Sequence, residues 1–82
     1  TIPDRVMAVA GIFEALTASD RPYKEGETLA QALSILSRMA REGHVDTDIF
    51  NLFLRSGIYL EYAKQYLSPK QVDEIAIEDY LI

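Results

Sequence analysis

A helical pattern of apolar residues stops abruptly at Thr17, and this break constrains the fold more than any other feature of the chain. Before the break, apolar side chains recur three and four residues apart, at Val6, Val9, Ala10, Phe13 and Leu16. The short, mostly polar side chains after it, up to Asp20, can bond to nearby backbone rather than extend a helix. Pro22 lacks an N–H group and disfavours helical angles at Arg21. The sequence predicts a helix over residues 3–17 that leads into a rigid Arg-Pro-Tyr-Lys corner.

Three further segments carry the same helical spacing, each bounded by capping or helix-ending residues. Thr28 and Gln31 fit a capping box that opens a second helix, which runs to about Arg41. We expect a third helix over residues 47–56 and a fourth over residues 58–67. Bulky apolar side chains cover most of the circumference of the third helix, which predicts that it is buried on more than one side.

The end of the chain is predicted to be less regular. Ser68 to Gln71 form a second capping box with proline at the first helical position, so a short helix to about Ile75 is expected. The acidic and apolar residues that follow are interpreted as a frayed end or a docking tail. Gly26 is expected to make the link before the second helix flexible. Residues 1–82 are therefore predicted to form one all-α segment, a small bundle of four to five helices.

The size and charge of the chain limit the functions that it can have. Eighty-two residues without cysteine make one small domain or part of one, and the start at Thr1 suggests a segment of a longer protein. The net charge of −5 argues against general nucleic-acid binding, which needs a basic surface. No apolar run approaches the roughly 18 residues that a membrane span requires, and there is no signal-peptide pattern. A cytoplasmic location is expected.

The residues around the break resemble a known family. The string RVMAVAGIFEALTASDRPYK, residues 5–24, is similar to RIxAVADVFDALTSDRPYR near the end of HD-type metal-dependent phosphohydrolases, particularly the HD-GYP cyclic di-GMP phosphodiesterases. The likeness continues into HVDTDIFNLFL and covers roughly residues 2–55. It implies the C-terminal part of an HD-domain fold in a bacterial enzyme. The intact family domain uses divalent ions of the iron or manganese type to hydrolyse a phosphodiester.

The resemblance also implies roles for individual residues. Arg21 and Lys24 match family residues that contact the cyclic dinucleotide, and a guanidinium suits phosphate oxygens in bidentate geometry. Glu14 stands where the family usually has a second Asp, a position that either contacts the substrate or supports the metal ligands, and its longer side chain could also reach back toward a metal. Gly11 occupies the position of the family's metal-ligand Asp, so no metal ligand is expected in this segment. The residues alone also allow Glu14 to be a solvated surface carboxylate, and Asp20 and Arg21 to do no more than shape the turn.

Two functional hypotheses from different classes stay open. The HD dyad, the GYP triplet and the family's other histidine ligands are absent from these 82 residues. The first hypothesis is therefore the C-terminal part of a cyclic di-GMP phosphodiesterase, inactive in isolation, whose missing N-terminal half holds the metal ions. The alternative is a degenerate helical module that binds a nucleotide or a protein partner without catalysis. An apolar face toward the missing half would also favour self-association.

Three other groups of residues could in principle bind a ligand, but a structural role is favoured for each. His44, Asp46 and Asp48 could bind a metal, although Asp46 is more simply an N-cap of the third helix. Arg38 and Arg41 could bind an anion, although their place at the end of the second helix favours interaction with the helix dipole. The tyrosines of the fourth helix could stack on bases, although an amphipathic packing face is favoured.

Overall fold

The computed structural model describes residues 1–19 and 25–82, which form four α-helices and two short 3₁₀ turns. The helices are α1 (Ile2–Thr17), α2 (Leu29–Arg41), α3 (Thr47–Arg55) and α4 (Ile58–Tyr66), and the turns are Pro69–Gln71 and Ile77–Asp79. Neither described range contains a strand, and no helix within them is both long and apolar enough to cross a membrane. The predicted all-α fold is confirmed, with four helices. The Arg-Pro-Tyr-Lys corner lies outside the described residues.

The helix ends lie where the capping residues predict them. The Thr28 hydroxyl accepts a hydrogen bond from the Gln31 backbone N–H (3.2 Å), and the Gln31 side-chain oxygen accepts one from the Thr28 N–H (2.9 Å). Asp46 caps α3, because its Oδ1 accepts a hydrogen bond from the Ile49 N–H at 3.1 Å. Gly57 separates α3 from α4 with φ of 82°, a left-handed angle that favours glycine. Local side-chain chemistry therefore sets these boundaries.

The core is built mainly from aromatic and aliphatic side chains of the first three helices. Phe13 and Phe53 are fully buried and meet edge to face, with ring centroids 5.6 Å apart. The other large, fully buried side chains are Leu29, Leu33, Leu36, Phe50 and Leu54. Helix α1 contacts each of the other three helices. The helix that carries Gly11 and Glu14 is therefore central to the packing of the bundle.

Helix α3 is buried on more than one side, as its sequence predicts. It contacts α1, α2 and α4. Its exposed apolar side chain, Leu52, lies in a shallow groove with Ile2 and Met7 from α1, and these two side chains are each 60 % exposed. We call these three residues, with Val6 and Ile58 beside them, the apolar groove. That this groove receives the missing half of the domain, or a second copy of the chain, stays a prediction.

The chain after α4 does not follow the predicted course. Instead of a helix to Ile75, it makes one 3₁₀ turn at Pro69–Gln71 and leaves helical geometry at Val72, where φ is −90° and ψ is 81°. Asp73 explains this departure, since its Oδ1 accepts a hydrogen bond from the Ala30 N–H at 3.1 Å and so draws the chain to the start of α2. The prediction of a longer helix is wrong because this contact between distant parts of the chain overrides the local helical signal.

The C-terminal tail is docked rather than frayed. The Ser37 hydroxyl donates a hydrogen bond to the Tyr80 carbonyl oxygen at 3.0 Å. The Asn51 side-chain amide donates to the Ile82 carbonyl oxygen and accepts from the Ile82 N–H, both at 3.0 Å. Of the two interpretations of the tail, docking is confirmed, and the surface that the tail covers belongs to α2 and α3 of the same chain.

Replacing Phe53 with alanine should destabilise the bundle strongly, because the change removes the partner of Phe13 and leaves a cavity in the core. We expect the free energy of unfolding to fall by about 3–5 kcal/mol, measured by urea denaturation. Leu52→Ala on the exposed side of the same helix is the control and should cost about 1 kcal/mol or less. Equal losses in the two variants would contradict the placement of the core.

Candidate functional site

Gly11 and Glu14 lie on the face of α1 that points away from the core. Both residues are exposed, whereas Ala10 and Phe13 beside them are buried. Residues three apart in a helix are separated by about one turn, so the two positions share one side of α1. A β-carbon added at Gly11 would meet no neighbouring group within 4 Å in the described part of the chain. The described residues therefore leave open space at the position that the resemblance assigns to a metal ligand.

The two segments that flank residues 20–24 meet at the C-terminal end of α1. The Glu27 backbone N–H donates to the Leu16 carbonyl oxygen at 2.9 Å. The Gly26 N–H donates to the Ser19 hydroxyl, also at 2.9 Å. The chain thus leaves α1 and returns to it within a few residues. The predicted substrate residues Arg21 and Lys24 lie outside the described residues, so their proximity to Glu14 stays a prediction.

Gly26 contributes space rather than the flexibility that its sequence context predicts. A β-carbon at this position would lie 2.0 Å from the Thr17 carbonyl oxygen and 2.8 Å from that of Ala18. Only glycine lets the two backbones approach so closely. The expectation of a flexible link at Gly26 is therefore corrected, because this residue packs directly against the end of α1.

Gln71 holds the two flanks together from a distant part of the chain. Its side-chain Nε2 donates to the Thr17 carbonyl oxygen and to the Glu27 carbonyl oxygen, both at 2.9 Å. Its Oε1 accepts from the backbone N–H (2.9 Å) and the hydroxyl (3.0 Å) of Ser68. The predicted capping box is confirmed, but the two bonds across the loop were missed. The signal that could have predicted them is the glutamine itself. The capping box uses only its side-chain oxygen, so the two N–H donors of the amide are left to bond elsewhere.

An ion pair adds a further contact on the outer side of the same region. The Lys70 ammonium donates to Glu25 Oε1 at 2.6 Å, and both side chains are largely exposed. This hydrogen bond, with the positive charge of Lys70, holds the pKa of the Glu25 carboxyl below its usual value. A lowered pKa keeps the carboxylate charged at neutral pH, and the pair weakens only as the pH falls through that lowered value.

The described residues do not fit a metal ion. No group of three His, Cys, Asp or Glu side chains converges in residues 1–19 or 25–82. Asp46 has a structural role, since one carboxylate oxygen caps α3 and the other lies 3.9 Å from the Arg5 guanidinium. His44 and Asp48 are exposed on either side of it. The N-cap interpretation of Asp46 is confirmed.

The tyrosines of α4 belong largely to the packing surface. Tyr59 and Tyr62 are half-buried against the core, while Tyr66 is 52 % exposed. The Tyr62 and Tyr66 rings lie with centroids 5.6 Å apart, and the Tyr62 hydroxyl donates to the Met7 sulfur at 3.7 Å. The predicted packing face is confirmed for Tyr59 and Tyr62.

The chain matches a known family and two curated proteins. Residues 1–49 match the HD domain. A cyclic di-GMP phosphodiesterase of Pseudomonas aeruginosa is 44% identical over 57 residues, which are 67% of this chain and 13% of that protein. A 3'3'-cGAMP-specific phosphodiesterase of Vibrio cholerae is 31% identical over 55 residues, which are 67% of this chain and 12% of that protein. The chain spans about an eighth of the length of these relatives. No solved structure gives a significant match to it.

Replacing Gly11 with alanine should stabilise the chain by about 0.5–1 kcal/mol, because alanine is the better helix former and no described residue would contact the added β-carbon. Gly57→Ala is the matched control and should destabilise by about 1–2 kcal/mol, since a β-carbon is strained at its φ of 82°. Urea denaturation measures both changes. A destabilising Gly11→Ala would show that the solvent-facing side of α1 is placed wrongly.

Proposed function

We propose that this chain, which belongs to the HD domain family, lines the substrate pocket of a cyclic-dinucleotide phosphodiesterase without holding its metal centre. The observation that carries the proposal is the family match over residues 1–49, which includes Glu14 and the Arg-Pro-Tyr-Lys corner. The two curated relatives act on cyclic di-GMP and on 3'3'-cGAMP, as their names state. Both molecules are cyclic dinucleotides, so this is the substrate class that we propose.

The proposed contacts follow from the chemistry of the side chains. Arg21 donates two parallel hydrogen bonds to phosphate oxygens, and Lys24 adds a second positive charge nearby. Glu14 accepts hydrogen bonds from N–H groups of a base, which its exposed position on α1 allows. The chain as a whole carries a net charge of −5, so a phosphate needs these local cations to approach it.

The metal-holding residues are proposed to lie elsewhere in the full-length protein. Gly11 has no side-chain oxygen, and the described ranges bring no set of three metal-ligating side chains together. We therefore assign this chain no catalytic residue. Ions of the iron or manganese type would be held by the missing N-terminal half of the domain, and the 82 residues alone are expected to be inactive. The proposed location is the bacterial cytoplasm.

A non-catalytic module that binds a nucleotide or a protein is the second candidate, and Gly11 is the observation that favours it. A domain that has lost its metal ions would have no need for an aspartate ligand at the position of Gly11. The apolar groove around Leu52 suits a protein contact, either with the missing half of the domain or with a second copy of the chain. Hydrolysis of cyclic di-GMP by the full-length protein with added Mn²⁺ supports the first candidate, and tight binding without hydrolysis supports the second.

Replacing Arg21 with alanine should weaken binding of cyclic di-GMP by the full-length protein about 10- to 100-fold. The reason is the loss of charge-assisted hydrogen bonds to phosphate, which contribute about 1.5–3 kcal/mol. Isothermal titration calorimetry measures the change. Arg41→Ala, which removes an exposed arginine at the end of α2, is the control and should leave the affinity unchanged. An unaltered affinity in the Arg21 variant would remove the proposed phosphate contact.

Replacing Gly11 with aspartate should raise the divalent-metal content of the full-length protein, because it restores an oxygen ligand at the family's metal position. Elemental analysis of the purified protein measures the ratio of metal to protein. Ala15→Asp places the same group one turn further along the exposed face of α1 and is the control, with no expected change. Equal metal content in both variants would count against Gly11 as the empty ligand position.

A further inference from the structure

We propose that Gln71 is a positioning residue for the segment that carries Arg21 and Lys24, and this inference rests on the proposed function. The site residues implied by the family resemblance lie within residues 11–24, whereas Gln71 follows α4, far along the chain. Its side chain nevertheless bonds to both flanks of residues 20–24. We call residues 18–27 the substrate loop and the two donated hydrogen bonds of Gln71 the loop clamp.

The loop clamp fixes the width of the substrate loop at its base. A single nitrogen, Nε2 of Gln71, donates to carbonyl oxygens on the two flanks, Thr17 before the loop and Glu27 at its end. Because each oxygen is 2.9 Å from that nitrogen, the two oxygens cannot lie more than about 6 Å apart. The loop therefore starts and ends at a fixed separation.

The burial of Gln71 indicates that its bonds matter more than the neighbouring ion pair. Gln71 is 7% exposed and Thr17 is 3% exposed, so breaking their bond would take this donor away from a carbonyl oxygen in a buried part of the molecule. The pair between Lys70 and Glu25 lies on the surface, where such pairs contribute little. The loop clamp is therefore the element to remove in a test.

The orientation of the amide is held by a second set of bonds. Ser68 donates through both its backbone N–H and its hydroxyl to Gln71 Oε1, which leaves Nε2 pointing at the loop. Asp73, two residues on, bonds to the first turn of α2 and fixes the other side of the same short segment. The segment 68–73 is thus bonded both to α2 and to the base of the substrate loop.

The chain contains a matched control for this role. Gln31 occupies the same place in the capping box of α2, and its Oε1 accepts from the Thr28 N–H at 2.9 Å. Gln31 makes no bond to the substrate loop in the described structure, and it is exposed. Gln71→Glu and Gln31→Glu both keep the capping oxygen and remove the amide donors. Only the first variant removes the loop clamp and sets a carboxylate against two carbonyl oxygens.

The first measurement is hydrogen exchange by mass spectrometry on the full-length protein. Gln71→Glu should speed exchange of the Gly26 and Glu27 amides about tenfold, because their bonds to Ser19 and Leu16 depend on the base of the loop staying closed. Peptides from α3 should exchange as in the wild type, and Gln31→Glu should leave the loop peptides unchanged. Unchanged exchange at Gly26 and Glu27 in the Gln71 variant overturns the loop clamp whether or not the protein binds a nucleotide.

The second measurement is a double-mutant cycle on cyclic di-GMP affinity, read by calorimetry on the full-length protein. Gln71→Glu should weaken binding about tenfold in the wild-type background but less than about threefold when Arg21 is already alanine, because the clamp acts through the position of that arginine. A general loss of stability would weaken both backgrounds equally, and that outcome overturns the positioning role. If the wild-type protein does not bind cyclic di-GMP, the proposed function is wrong, and the positioning role is wrong with it. The hydrogen-exchange result still shows, independently, whether the loop clamp exists.

Discussion

The last residue of helix α1, Thr17, is buried, and the final carbonyl oxygens of the helix need hydrogen-bond donors that the helix itself cannot provide. The Leu16 carbonyl oxygen accepts a hydrogen bond from the Glu27 N–H, and the Thr17 carbonyl oxygen accepts one from the Gln71 side-chain amide. These two donors come from the start of α2 and from the segment after α4. Satisfying one helix end therefore joins three distant parts of the chain, and no buried side-chain nitrogen or oxygen among the described residues lacks a partner.

Much of the fold could be predicted because its signals are local. Apolar spacing and the capping residues Thr28, Asp46 and Gly57 placed the four helices to within about two residues, which is the usual uncertainty of helix ends. The family could be predicted for a similar reason, since the string around the break is continuous in sequence. The match of residues 1–49 to the HD domain confirms it, while the roles of Arg21, Lys24 and Glu14 stay predictions.

The errors and omissions concern contacts between residues far apart in sequence. The helix predicted to reach Ile75 stops early because Asp73 bonds to Ala30, 43 residues away. The two bonds across the substrate loop join Gln71 to residues 54 and 44 positions earlier. A capping box predicts the local bonds of its glutamine, but nothing in the local pattern indicates which carbonyls the free amide group will meet. Gly26 was misjudged for the same reason, since the backbone that it contacts belongs to α1.

We propose that this segment presents cations to a cyclic dinucleotide from the loop that follows α1. The most direct test is a crystal structure of the full-length protein with cyclic di-GMP bound. In that complex we expect nitrogens of Arg21 within about 3.2 Å of phosphate oxygens, with Glu14 facing the same pocket. A complex in which Arg21 and Lys24 point into solvent, away from the nucleotide, would contradict it.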